Sequence, residues 1–308
     1  MHRQVGRVVA AVAVVGAMVS GCGSGPSQIG SAAIVGTDAI ALDVVQDQIA
    51  LALSPEKAQA VSGRNQGAGG GYGSPQVARE IVTGAILGDL LDRRTAEEGI
   101  SISDADLDAA LATAGTPEEI AQSSLYTPEV QREKIRDDLA AAALGARYVD
   151  RLAVTLEFVA LPSEEEAIGA ARAVAAGGAD AEAVFAGVPA DQRAQQVRAV
   201  DNPALATSFA FGTPAGSVIV LRPAQDGAPW TVIRILDRTT DLPAEGPSIV
   251  DQLGQSDLQL IGYRMLQPAS EELGVQVNPR YGVWDPIQLA VVAEDQTAGS
   301  ILPPPAAG

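Results

Sequence analysis

The sequence predicts an α+β fold, mostly helical in its first half and built around a small helix-covered sheet in its second. From Leu42 to Arg151 apolar residues recur at helical spacing, and at Leu152 the pattern changes to the continuous or alternating apolar runs of strands. The composition agrees. Hydrophobic residues make up 47% of 308, weighted toward Ala and Val with only 4% aromatics, enough for a sizeable core in one large domain or two modest ones.

Residues 1–22 read as an export signal. Arg3 and Arg7 precede an apolar or small stretch from Val8 to Val19, which ends in Val19-Ser20-Gly21-Cys22. That tetrapeptide has the form of a lipobox: a branched apolar residue and two small ones precede a cysteine whose thiol takes the lipid. Cys22 is the only cysteine, so a disulfide framework is excluded and lipidation is the natural use of the thiol. The expected mature chain is therefore lipid-anchored on the extracytoplasmic face of the cell membrane. Residues 23–31, rich in Gly and Ser, form a flexible tether.

Folded structure is expected from residue 32. Ala33-Ile34-Val35 forms a strand before a turn at Gly36-Thr37-Asp38-Ala39, and Leu42, Val45 and Ile49 mark a helix. Glycine dominates Ser62–Ser74, which predicts a loop. A long helix runs from Ser74-Pro75 to Glu98, with Val77, Ile81, Val82, Ile86, Leu90 and Leu91 on its apolar face and Gly99 as its stop. The acidic run after Ser103 invites a calcium reading, but Ala109 and Gly115 stand where an EF-hand loop needs glycine and glutamate. Ser103 and Asp106 instead form a helix cap. Further helices follow from Pro117 and from Pro128 to about Arg151.

Residues 152–240 form the second unit. A strand over 153–161 leads into a helix from Glu164 to Ala176, stopped by Gly177-Gly178. A less regular helical stretch reaches Val200, and Asn202-Pro203 opens a short helix through Phe209. Two strands, Val218 to Arg222 and Trp230 to Arg238, close the unit around a turn at Asp226-Gly227. One amphipathic helix is expected from Ser248 to Leu273, with an extended segment after it, so that 247–290 forms a C-terminal piece. The tail 294–308 is expected to be disordered.

Charge and residue inventory exclude most chemistries. A net charge of −18 repels phosphate backbones and anionic lipid heads, so no nucleic-acid partner is expected and membrane attachment falls to the lipid on Cys22. The only histidine, His2, lies in the segment that processing removes. Without imidazole or a free thiol, Ser-His-Asp triads, Cys-His dyads and His/Cys zinc sites are unavailable. Neither lysine, Lys57 or Lys134, sits in a phosphate-binding loop. No catalytic residue, metal or cofactor is expected, and Glu164-Glu165-Glu166 read as favourable charges at a helix N-terminus.

Three stretches resemble exported foldases of the SurA and PrsA kind, especially the SurA-like lipoproteins of actinobacteria. Ala33-Ile34-Val35-Gly36-Thr37-Asp38-Ala39-Ile40 resembles their opening strand, and Ile81 through Leu107 resembles a helix that ends in Gly-Ile-x-Val-Ser-Asp. The run Val277-Asn278-Pro279-Arg280-Tyr281-Gly282-Val283-Trp284-Asp285 is similar to a C-terminal signature of the actinobacterial group. The resemblance implies a helical chaperone region over 32–151, completed by the C-terminal segment, with 152–240 inserted as a parvulin-like prolyl isomerase domain. Active parvulins carry histidines on their first and last strands. Here those positions fall at Glu157 or Phe158 and at Thr231, so the domain is degenerate. Phe158, Phe209, Phe211, Trp230 and Thr231 are what remains of a prolyl pocket on this reading.

The resemblance therefore implies a membrane-anchored holdase that binds unfolded or nascent exported polypeptides without clear catalysis. An active peptidyl-prolyl cis-trans isomerase is the alternative, since an apolar pocket can favour a twisted amide by desolvation and geometry. A solute-binding lipoprotein is a third reading, which predicts two lobes of repeated strand-helix units.

Overall fold

The computed structural model describes residues 29–55, 57 and 74–304. The export signal, Cys22, most of the tether and the glycine-rich segment before Ser74 lie outside the described residues. Among those residues no helix is long and apolar enough to cross a membrane.

The chain opens with strand β1 (Ser31–Val35) and turns at Gly36 into β2 (Asp38–Ala41), so the expected turn extends into a hairpin. Helix α1 (Leu42–Ala52) follows. Helix α2 (Ser74–Glu98) keeps its predicted bounds, and its apolar face, Val77 through Leu91, is buried throughout. Ser103 opens α3 (Asp104–Ala114) with a reciprocal capping box to Asp106, as the sequence predicts. The short α4 (Pro117–Ala121) and the long α5 (Pro128–Tyr148) complete the N-terminal helices, each with threonine as cap and proline in its first turn.

The second unit is a five-stranded antiparallel sheet. Its strands are β3 (Ala153–Leu161), β4 (Gln195–Arg198), β5 (Val218–Leu221), β6 (Trp230–Thr239) and a last strand from the C-terminal tail, Gly299–Leu302. The tail strand lies beside β5, followed in order by β6, β3 and β4. Helices α6 (Glu164–Ala176) and α7 (Gly178–Val184) cover one face, and the small helices α8 (Pro203–Ala206) and α9 (Phe209–Gly212) pack with the main core.

Three expectations are corrected here. The stretch before Val200 is not helical to its end: Gln195–Arg198 is an edge strand paired with Ala153–Leu156, which satisfies backbone groups at that edge of β3. The helix expected from Ser248 begins only at Gln255, and it breaks at Met265 into α10 (Gln255–Arg264) and α11 (Gln267–Leu273). Pro268 accounts for the break, because it has no N–H to donate to the preceding turn. The tail expected to be disordered forms strand Gly299–Leu302, paired with Val218–Leu221, and Ile301 and Leu302 pack against the two separate cores.

The C-terminal segment joins the two units. Strand β7 (Val275–Val277) pairs antiparallel with β1, and Asn278 reinforces the join by donating its backbone N–H to Ala32 O at 2.9 Å and its Nδ2 to Ser31 O at 3.0 Å. A small hairpin follows, β8 (Val283–Asp285) with β9 (Ala290–Val292); the tail strand is thus β10. Helix α10 crosses α5 where two glycines meet: a Cβ on Gly145 would overlap the carbonyl oxygen of Leu258, and one on Gly262 that of Ala141. Among the described residues all three sheets are antiparallel, unlike the two lobes of repeated strand-helix units expected of a solute-binding lipoprotein.

Candidate functional site

Strand alternation sorts the predicted pocket residues. Side chains of successive strand residues point to opposite faces, and cross-strand partners share a face. Val218, Val220 and Val232 pack with Ala167, Ala171 and Phe185 on the face covered by α6 and α7. Ile219, Ile233 and Ile235 belong to the main core on the other face. Trp230 and Thr231 therefore point apart: Trp230 joins the α6 side, and Thr231 faces the opposite side between its partners Leu221 and Ala160.

The same register separates Glu157 from Phe158. Glu157, paired with Arg234, is 1% exposed on the α6 side. Arg234 Nε donates to Glu157 Oε1 at 2.7 Å and Arg193 Nε to Oε2 at 3.0 Å. Glu182 completes a four-membered ion cluster, and both guanidinia lie over the Phe185 ring. Such a matched buried carboxylate holds strand to helix and offers no free acid or base. The sequence signal for it was a lone charge within the apolar run Ala153–Leu161.

Phe158 lies on the opposite face, beside Ile233, and is 52% exposed. With Ala160, Thr231 and Leu221 it forms an apolar strip that continues toward Phe209. There an open cleft of about 530 Å³ is lined by Phe209, Leu221, Pro223, Arg264 and Ile287. Phe211, two residues on, is fully buried and serves the core. Of the five predicted residues the structure places Phe158 and Thr231 on one face, with Phe209 at the adjoining cleft, and it puts Phe211 and Trp230 elsewhere.

The two arginines at this cleft are already engaged. Arg264 donates through Nε to Thr207 O and through Nη1 to Ile287 O, both at 2.8 Å, and burial lowers its pKa. Arg222 donates to Asp295 O at 2.6 Å. The arrangement can hold apolar side chains, with fixed guanidinia and backbone groups at its border and the Asp295 carboxylate on its wall. Among the described residues no group of three or more His, Cys, Asp or Glu is placed to hold a metal.

A second titratable feature lies between α2 and α5. Asp137 sits over Gly88, with Asp92, Glu133 and Lys134 around it. Burial pushes its carboxyl up to about 6; Lys134 opposes the rise, and Asp92, Asp138 and Glu133 add to it. Neighbouring Asp138 is raised by burial too, and it accepts hydrogen bonds from Gln259 Nε2 at 2.5 Å and Tyr263 Oη at 3.2 Å, both on α10.

No protein-family model matches the chain, and no curated protein matches it. Several solved structures are similar to it, among them three PrsA proteins. The foldase protein PrsA from Streptococcus pneumoniae str. Canada MDR_19A is 11% identical, with 67% of this chain and 88% of that chain covered and a TM-score of 0.25. The foldase protein PrsA from Lactococcus lactis is 12% identical over 81% of this chain and 95% of its own, with a TM-score of 0.24. The peptidylprolyl isomerase PrsA from Bacillus anthracis is 13% identical over 63% and 97%, with a TM-score of 0.23. Likeness at these levels assigns no activity to this chain.

Proposed function

We propose that this protein is a membrane-anchored extracytoplasmic chaperone of the holdase type, which binds unfolded exported polypeptide on an isomerase-like scaffold without turning prolyl bonds. The observation that carries the reading is Phe158, a large aromatic residue 52% exposed on an apolar sheet face that leads toward an open cleft. Exposed apolar surface of this kind suits clients of varied sequence. The absence of imidazole after removal of His2, and the burial of Glu157 in an ion cluster, favour binding over catalysis. Anchoring would come from the lipid on Cys22, with the folded part held outside the membrane.

The test uses the chain lacking residues 1–22. Aggregation of a reduced, unfolded client is followed with and without it, and prolyl isomerisation of a short peptide is followed in parallel. Suppressed aggregation with no acceleration of isomerisation is the expected result. Accelerated isomerisation would replace the holdase reading with an enzymatic one, and no effect in either assay would remove both.

A further inference from the structure

A different cleft, of about 320 Å³, opens where the sheet meets the helical module. Arg93 and Arg94 of α2, Arg238 near the end of β6, and Met265, Ala269 and Leu273 from the C-terminal helices line it. Three guanidinia around one cleft run against a net charge of −18. Two of them are matched: Arg93 pairs with Asp38 and Asp89, and Arg94 with Glu97 and Glu98.

Arg238 is not. Its Nε donates to Phe211 O at 2.6 Å and its Nη2 meets only Met265 Sδ, at 3.4 Å; among the described residues no carboxylate oxygen lies within ion-pair distance of it. Burial lowers its pKa to about 10 and nearby Arg94 adds to the effect, while Tyr148 and Glu271 pull the other way. At neutral pH it remains a cation, partly desolvated and without a carboxylate partner among the described residues. Arg94 Nε is buried and also lacks a partner. Glu97 and Glu272 lie on the cleft wall, but neither pairs with Arg238.

We propose that this cleft is a carboxylate-binding subsite that takes an acidic side chain or the free C terminus of a polypeptide. A guanidinium fork presents parallel N–H donors that match a carboxylate, and the pairing gains strength where water is displaced. Met265, Ala269 and Leu273 supply an apolar wall for the aliphatic part of such a chain. The polypeptide as source rests on the chaperone reading; the oxyanion chemistry does not.

Binding and thermal stability are measured on the chain lacking residues 1–22 with three probes at matched ionic strength. These are a short peptide with glutamates and a free C terminus, its glutamine-substituted and amidated counterpart, and inorganic phosphate. The acidic peptide is expected to bind and raise Tm, and its neutral counterpart to do neither. Arg238→Gln should abolish binding, but it also touches the bond to Phe211 O, so Ala269→Glu is the second variant. A carboxylate tethered to the wall should raise Tm and weaken the acidic peptide at least tenfold. Equal binding of the neutral peptide, unchanged affinity in Ala269→Glu, or binding of phosphate alone would overturn the proposal. Peptide binding without suppression of client aggregation would leave the subsite standing and remove the chaperone reading.

Discussion

Asp285 Oδ2 accepts a hydrogen bond from the backbone N–H of Ala298 at 2.6 Å, which fastens the end of the Val-Trp-Asp run to the start of the tail strand. Asp285 is 1% exposed and also accepts from Ile287 N at 2.8 Å, Gln288 N at 3.1 Å and Gln288 Nε2 at 2.8 Å. One carboxylate thus organises both the β8–β9 turn and the approach of β10.

Removing that carboxylate strands several donors. Asp285→Ala is expected to cost about 2–4 kcal/mol in denaturant unfolding, since buried groups left unpaired lose their full desolvation cost. Limited proteolysis should then cut after residue 296 well before the rest of the chain. Unchanged protection of the tail would show that pairing with β5 holds it alone.

The glycine crossing of α5 and α10 makes a second prediction. Gly145→Ala and Gly262→Ala each drive a methyl group into backbone on the opposing helix, which neither rotamer change nor side-chain movement relieves. Each is expected to destabilise by roughly 3 kcal/mol or more, the range of severe overpacking. Melting of both variants within a degree or two of the parent would mean that the helices separate at little cost.

Asp137 predicts a pH dependence of known sign. Its carboxyl is raised to about 6 in the folded chain, above its ordinary value of 3.8, so folding favours the protonated form. The contribution is fully present below the unfolded pKa and is lost as pH rises through about 6. Tm should therefore rise on acidification from pH 7.5 to 5.5, and Asp137→Asn should raise Tm at pH 7.5 by roughly 2–4 °C and flatten that rise. A steeper pH response in the Asn variant would contradict the assignment.

Phe158 and Phe211 should behave oppositely. Phe158→Ser, at an exposed position, is expected to leave stability within about 1 kcal/mol and to weaken suppression of client aggregation. Phe211→Ala, in the core, should cost about 3–5 kcal/mol. If Phe158→Ser protects a client as well as the parent does, the sheet face is not the binding surface.

Local chemistry made most of the helices legible. Ser103 with Asp106, Thr127 before Pro128 and Ser163 before three glutamates each mark a helix start, and Gly99 and Gly177 mark stops at the observed places. Two of the strands that escaped notice have distant reasons. Gln195–Arg198 and Gly299–Leu302 carry little strand signal of their own and form because an unpaired edge of β3 or β5 awaits them.

The candidate site was legible by residue type and less so by geometry. Glu157 and Phe158 were equal choices until the register with β6 put them on opposite faces. Trp230 and Thr231 are neighbours in a strand, so period-two alternation alone keeps them from sharing a pocket. The arginine cleft had no sequence signature, because Arg94, Arg238 and Ala269 are brought together only by the packing of three separate elements.

The last stretch of chain visits both units: β7 closes the sheet begun by β1, with Val277 opposite Ala33, and β10 closes the other, with Leu302 opposite Val218. Neither sheet is complete until residues near the C terminus are available. A chain synthesised from its N terminus therefore reaches this topology only once β10 has emerged, and such late, long-range pairing makes for slow folding with sticky intermediates. On the holdase reading proposed above, the chain would itself be, for the time of its own synthesis, a client.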